Sequence, residues 1–527
     1  MVASRCRHVA AVRGLHVAAA AAAAGVYAFL VLQYLQGGFV EDSFIHFRYA
    51  DNLAHGHGLA WNPGQGPVEG FTSLTWVLAL AAAAHLSGAS VPDVGFALGI
   101  LFGGGILLCY WLVARRCLPP GSDVAALIVP LHLAVSPVVA RHAISGFETS
   151  LTIVLMGTLA LVWASRGGLP RTALLSAAAT VLLALTRPDA LLFAVAGTTA
   201  FVFAARSPDA ARVYWVSFVL PLGVALAAYL AWKLWYFGGV IPLPALMKIA
   251  PQEIYSSPPL LRFVFSQWFE FLAYAAPVVF LAMIGLWSGA TPRQSALIAL
   301  AAGTAAHAVY LLTVVPEMAF HWRFFYPVLP SLSVLAVAGL WHVLRRDENS
   351  SRRFQLQTVA LVGFFVLYNL GHWGQIRRQT LEDTLDTQVL VDLGRALEGI
   401  GAIEIAGSDA GAIPFFSRAA FVDLEGLNDP VAAGIRAQEG DRSLLLEEYL
   451  LERPALPDVF ITHSAEPGFA RLDRLPTVRQ AYTLAVTMPT RSAEPYDIFI
   501  LKTSPYSQAI LDRLLPLSVE SMPVRVP

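Results

Sequence analysis

Charge is what this chain lacks. Only 13% of its 527 residues are Asp, Glu, Lys or Arg, against 56% hydrophobic ones. Soluble chains carry about 25% charged residues. The shortage is uneven. Apolar runs recur from about residue 16 to 373, and from about 375 onward the composition is that of a soluble domain. This predicts a polytopic α-helical membrane domain, 1–374, followed by a small α/β domain, 375–527. Cysteine is also scarce. Cys6, Cys109 and Cys117 are the only three, and none falls in the C-terminal domain. A disulfide framework is excluded there, and no ligand spacing marks a metal site. The net charge of -1 leaves no basic footprint for nucleic acid. A cleaved leader is not expected. Arg5, Arg7 and Arg13 precede an apolar run from about Val17 to Leu35, longer than the ~7–15 residues of a signal h-region. We read it as an uncleaved first span with a cytoplasmic basic start.

Candidate spans lie near 17–36, 91–114, 124–140, 149–165, 172–186, 190–205, 213–237, 267–287, 294–315, 324–344 and 356–373. A further run, 71–87, is mostly Ala. If it lies along the surface, Arg115/Arg116, Arg166/Arg171, Arg206/Arg212, Arg293 and Arg345/Arg346/Arg352/Arg353 all share the N-terminal side. That is the positive-inside pattern. The expectation is about eleven spans of the usual ~20 residues, N-terminus inside and C-terminal domain outside, in a bacterial plasma membrane. The unusual polar residues then gather on the outer face, in the first loop 37–90 and in later outer turns. No isolated acid stands at the centre of a span and no inverted repeat is visible, which argues against a lipid or solute transporter.

The first loop begins "EDSFIHFRYADN". Phe44, Phe47, Ala50 and Ala54 recur at helical spacing, so an amphipathic surface helix is expected, with Asp42, Arg48, Tyr49 and Asn52 on the other face. Glu41 and Asp42 are a solvated helix cap or a reactive acid pair. His57, in "HGHG", is a weak ligand candidate, and Asn62 and Glu69 follow in a Gly- and Pro-rich loop. Arg141, His142 and Glu148 flank "SGFETS", where Ser145 and Glu148 have capping-box spacing. Arg187 and Asp189 in "TRPD" either pair with each other or line a polar cavity. Lys248 lies in the long loop 238–266, a plausible lipid-contacting lid. Glu317, His321 and Arg323 precede a span; Arg323 is either an interfacial anchor or a guanidinium set for phosphate.

Together these pieces resemble the C-type superfamily of polyprenyl-phosphate-sugar glycosyltransferases. Within it they are similar to the mycobacterial arabinofuranosyltransferases that add terminal β-(1→2) arabinose, and to their bacterial relatives. The family's first loop is matched by Glu41, Asp42, Ile45, Arg48, Tyr49, Ala50, Asn52, Gly56, Gly58, Asn62, Pro63, Gly64, Val68, Glu69, Gly70, Thr72, Ser73 and Trp76. "SGFET", "TRPD", "RFFYPVLP", "SDAGAIPFFS" and "VDLEGL" extend the match over most of the chain. Glu41 stands where the family has Asp, Gln65 where it has Glu, and Phe71 where it has Tyr.

The resemblance implies cell-envelope glycosyl transfer from a polyprenyl-phosphate sugar to a glycan or lipid acceptor, with inversion. Asp42 would be the general base and Glu41 its partner. Arg323, His321, Lys248, Arg141 and Arg187 form the pool for the donor phosphate. Arg48, Asn62, Glu69, Glu148 and His57 would shape the acceptor site. No cofactor is demanded, though some relatives use a divalent metal. An O-antigen-ligase-like enzyme is the other enzymatic reading, and it lacks this acidic first loop.

In the C-terminal region, 381–398 reads as a helix. "AIEIA", "AFVDL", "DVFIT", "YTLAVTM" and "DIFILKT" read as strands, the last two an antiparallel hairpin. Asp409, Gly411, Asp423 and Asn428 fall at strand ends, where α/β sheets bind ligands.

Overall fold

The computed structural model describes residues 2–34, 38–119, 122–249, 258–287, 294–312, 320–344, 351–438, 442–463, 471–490 and 495–520. The chain forms two compact units, each assembled from separated stretches. One comprises 1–35, 96–231 and 253–378; the other comprises 36–95, 232–252 and 379–527.

The first unit is a bundle of apolar helices. Among the described residues, six helices of the chain are long and apolar enough to cross a membrane, seven if the bent pair Asp123–Val135 and Pro137–Ala143 is one span. The protein is therefore a multi-span membrane protein. Thr149–Trp163 and Ala190–Ala204 are helices of 15 residues each, short of the ~20 that a straight crossing takes. The bent pair turns by 61°. Pro137 supplies no N–H, and Ser136 before it is extended (ψ 115°). The helices Pro258–Trp287 and Leu329–Leu344 cross with Gly285 against Gly339. A β-carbon on Gly285 would lie 2.8 Å from Gly339 N, so only small residues allow this approach. Arg293, Arg345 and Arg346 of the charge pattern, and Glu317, lie outside the described residues, as do the side chains of Arg352 and Arg353.

The second unit holds a five-stranded mixed sheet. Its strands are β1 (Glu404–Gly407), β2 (Ala420–Asp423), β3 (Val459–His463), β4 (Tyr482–Met488) and β5 (Tyr496–Leu501), in the order β2-β1-β3-β5-β4. β1 pairs in parallel with β2 and β3, and β5 antiparallel with β3 and β4. Each strand falls on one of the five segments read from alternation. The helix expected at 381–398 is the end of one uninterrupted helix, Ser351–Leu397, that also contains 356–373. Nothing between them breaks a helix except Gly374.

The first loop supplies the helix Ser43–Ala54 to this unit, with Ser43 to Asn52 all buried. Its apolar stripe lies where the spacing placed it. Phe44 packs on Phe415 and Phe416, and Phe47 on Phe39. The polar face is covered as well, which the surface-helix expectation did not anticipate. Arg48 and Tyr49 reach partners more than 300 positions away in sequence, and local spacing cannot reveal those.

Candidate active site

Three loops of the sheet's parallel part leave from strand carboxyl ends, and these carry the polar residues of the second unit. Beyond β1 come Asp409 and Gly411. β2 ends on Asp423, and β3 on His463. This is the edge at which α/β sheets bind ligands. Glu41 and Asp42 meet it there. One oxygen of Glu41 accepts two backbone N–H groups, from Gly411 and Ala412, each at 2.8 Å. Gly411 is required by this approach, since a β-carbon there would lie 2.5 Å from Glu41 Oε1.

Asp42 occupies the cap position of the helix Ser43–Ala54, but its carboxyl makes no capping hydrogen bond. It is hydrogen-bonded to Glu41 instead. Burial, then the charges of Asp409 and Asp42, hold the Glu41 carboxyl well above the usual carboxylate range. Asp409 in turn lies 3.2 Å from His463 Nε2 and takes a hydrogen bond from the Tyr496 hydroxyl. Tyr496 and His463 pack ring to ring at 4.3 Å. Among the described residues no three His, Cys, Asp or Glu side chains are grouped to hold a metal ion.

Arg48 is spent on carbonyl oxygens. It donates to Trp61 O (2.9 Å), Ala419 O (2.8 Å), Pro414 O and Asn62 Oδ1 (3.0 Å). Asn62 serves both backbone groups of Phe421 on the edge strand β2, accepting from its N–H and donating to its C=O, each at 3.0 Å. An edge strand is thereby closed. Gln65 accepts from Asn62 at 2.9 Å, a task that its amide oxygen performs without the charge of Glu.

Glu69 pairs with Lys233 at 2.8 Å. Burial pushes the Glu69 carboxyl up to about 7 despite this partner. Lys233 was missed in the sequence, although a lone Lys in the apolar run 213–237 was signal enough. Tyr49 donates to Asn428, whose own N–H and amide reach Asp423. His57 is exposed in the loop after the first-loop helix, apart from the acid pair's hydrogen bonds. Lys248 lies on the short helix Leu243–Ile249, and its side chain is outside the described residues.

The first unit gathers the other named residues. Glu148 Oε1 accepts from Arg187 (3.3 Å) and Arg323 (3.0 Å), and Arg187 also makes a two-point pair with Asp189 (2.7 and 3.0 Å). Arg323 lies 3.5 Å from the centre of the Phe147 ring. Arg141 is fully buried, and the Phe320 ring has both Arg141 and Arg323 near it, at 6.0 and 5.8 Å. His142 Nε2 donates to the His321 carbonyl oxygen at 3.0 Å, and its ring stacks on Tyr326. His321 and Trp322 both have left-handed backbones (φ 47° and 58°), a strained pair for residues with side chains. The capping-box reading of Ser145 and Glu148 is overturned. The helix starts at Thr149, and Ser145 Oγ bonds to His142 O and Phe147 N.

Residues 378–504 match the model of a domain of unknown function, DUF8728. No curated protein matches in sequence. Solved structures match over nearly the whole chain. ArnT from Cupriavidus metallidurans aligns at TM-score 0.59 and 11% identity, covering 93% of this chain and 98% of ArnT. The arabinofuranosyltransferase AftD from Mycobacteria aligns at 0.54 and 14%, over 92% of this chain, which spans only 40% of AftD. The Archaeoglobus fulgidus oligosaccharyltransferase aligns at 0.54 and 13%, over 93% and 74%. The chain shares its fold with the C-type glycosyltransferases.

Proposed function

We propose that the protein is an integral-membrane glycosyltransferase. It moves a sugar from a polyprenyl-phosphate donor to a glycan or lipid acceptor of the cell envelope, on the outer face of a bacterial plasma membrane. The observation that carries this reading is the state of the acid pair. Asp42 is not consumed in capping its helix. Glu41 is held high by burial and by like charge. Two interacting carboxyls share protons as a pair; burial and like charge push Glu41 toward its protonated form, and we assign the base to its partner Asp42. An ionised carboxylate at a loop edge is what general-base removal of an acceptor hydroxyl proton needs. The acceptor oxygen then bonds to the anomeric carbon as the bond to the lipid phosphate breaks, with inversion. The phosphate leaves with the bonding electrons. Arg323, Arg187 and Arg141 are the groups we assign to it, because planar guanidiniums match phosphate oxygens, with the His321 imidazole as a further N–H donor. A solved structure of ArnT contains undecaprenyl phosphate, which supports a lipid phosphate as the donor's leaving group.

The direct test is incubation of the purified protein with a panel of polyprenyl-phosphate sugars, with consumption read by mass spectrometry. Wild-type protein is expected to consume at least one donor, and Asp42→Asn to do so about 10²–10⁴-fold more slowly. Turnover undiminished in a stably inserted Asp42→Asn protein would sink the base assignment.

We place the first-loop acids and the sheet outside, with about eleven spans. In a cysteine-free background, Val240→Cys should react with an impermeant thiol reagent on intact cells. Labelling only after permeabilisation reverses the orientation.

A further inference from the structure

Two cavities of the second unit adjoin beside the helix Ala412–Ser417. One, of about 340 Å³, is lined by Asn52, His55, His57 and Pro63; the other, of about 610 Å³, by Phe39, Ser90, Thr384, Thr387, Gln388 and Arg395. Asp51, Phe415 and Arg418 line both, so the Arg418–Asp51 ion pair stands where they meet. Both volumes fall within the ~300–1,000 Å³ of ligand sites.

The lining has a mixed chemistry. Phe415 and Phe416 offer flat apolar faces, each with a guanidinium over it, Arg418 at 5.4 Å and Arg395 at 5.0 Å. Ser90, Thr384, Thr387 and Gln388 add neutral donors and acceptors. Across the two cavities Asp51, Asp93 and Glu398 stand against Arg48, Arg395 and Arg418, so no positive surplus calls for an anion. A neutral chain with many hydroxyl groups fits such a surface better than an acyl chain or a polyanion.

Arg418 is the informative residue. It ends the helix Ala412–Ser417 in a left-handed conformation (φ 59°), the position that glycine fills without strain. Its side chain is 57% exposed in the pair with Asp51, and exposed pairs stabilise little. Neither the helix end nor the ion pair accounts for an arginine there, whereas strain is commonly retained at ligand clamps. The same helix ties the groove to the acid pair. Its first amide and that of Gly411 hold Glu41, and its far end carries the phenylalanines and Arg418. Six residues of helix rise only about 9 Å. Phe44, two positions after Asp42, lines the larger cavity.

We propose that the two cavities form one groove for a neutral oligosaccharide acceptor, gripped at its middle by Arg418 and Asp51, with its reactive hydroxyl delivered to Asp42. The destination of the hydroxyl rests on the glycosyltransferase reading; the groove does not.

The test titrates the full chain in nanodiscs with linear tetrasaccharides of arabinose, mannose and galactose, and with tetragalacturonate, by saturation-transfer NMR. At least one neutral tetrasaccharide should bind in preference to tetragalacturonate. Arg418→Gly should weaken binding by roughly tenfold, the effect of losing a charged hydrogen-bond donor, while raising Tm by relieving the left-handed turn. Gln388→Trp should fill the groove and weaken binding at unchanged Tm. No neutral binding, a preference for the polyanion, or binding indifferent to both groove substitutions overturns the proposal. Sugar transfer whose acceptor KM ignores both substitutions discards the groove and keeps the transferase. Groove-dependent binding without transfer to any acceptor keeps the groove and discards the transferase.

Discussion

Each unit encloses a glutamate, and the two are treated in opposite ways. Glu148 accepts from two guanidiniums, with a further carboxylate, Asp189, on one of them. Glu41 accepts two backbone N–H groups and has two more acids, Asp42 and Asp409, as its charged neighbours. Countercharge balances the first. Backbone N–H groups oppose burial and like charge around the second, and its carboxyl is held well above the usual carboxylate range. Residue type therefore says little about a carboxylate's work, and its partners say most of it.

The contrast is breakable by substitution. The largest effect is expected from Asp42→Asn. Loss of a general base removes about 10²–10⁴-fold of rate, here with little change in Tm, because the carboxyl caps no helix and the Asn amide can still hydrogen-bond to Glu41. Sugar transfer and thermal unfolding, measured on the same preparation, check both halves. Glu148→Gln should do the reverse at the level of the fold. It leaves two buried guanidiniums short of a charge, which costs about 3–5 kcal/mol when a buried pair is broken, read as a large fall in Tm in detergent. If Glu148→Gln melts like wild type, its arginines are balanced by something other than this carboxylate.

A smaller effect is expected at Gly411. The β-carbon of Gly411→Ala would meet Glu41 Oε1 at 2.5 Å, so the acid pair must shift. Misplacement on the scale of 1 Å lowers rates by up to about 10²-fold. The nearest atom is the backbone oxygen of Glu41, at 2.3 Å, so Tm should fall together with turnover, and an unaltered rate would show that the position of Glu41 is immaterial.

The smallest effect concerns pH. Burial pushes the Asp423 carboxyl up to about 7 from an ordinary 3.8, against hydrogen bonds from Asn428 that favour its charge. The folded state binds this proton more tightly than the unfolded chain does. Its stabilising contribution is thus full below 3.8 and is lost as the pH rises through about 7. Asp423→Asn should flatten the decline of Tm across that window. An equal decline in both proteins would assign it to another group, Glu41 being the first to examine.

Much of the architecture was readable beforehand. The strand segments alternate or run apolar between turn residues, and each became a strand. The phase of Phe44 and Phe47 was right because helical periodicity is a local property. What failed was the environment of that helix. Its polar side looked solvent-facing, yet Arg48 is buried among carbonyls of Trp61, Pro414 and Ala419. The Ser145–Glu148 spacing mimicked a capping box, but Glu148 turned to Arg187 and Arg323 because buried charge must find countercharge. Lys233 was passed over inside an apolar run, and its partner Glu69 lies 164 positions away in the numbering.

Composition and period sufficed for a multi-span helical protein with a small mixed-sheet region, since hydrophobic length and alternation are written residue by residue. The roles of Glu41 and Asp42 came only from the family resemblance of the first loop. How strongly burial acts on Glu41, which arginines are spent on carbonyls, and where cavities open in the second unit required the folded chain. Desolvation, countercharge and enclosed volume are set by groups brought together from distant positions, and no short stretch of sequence contains them.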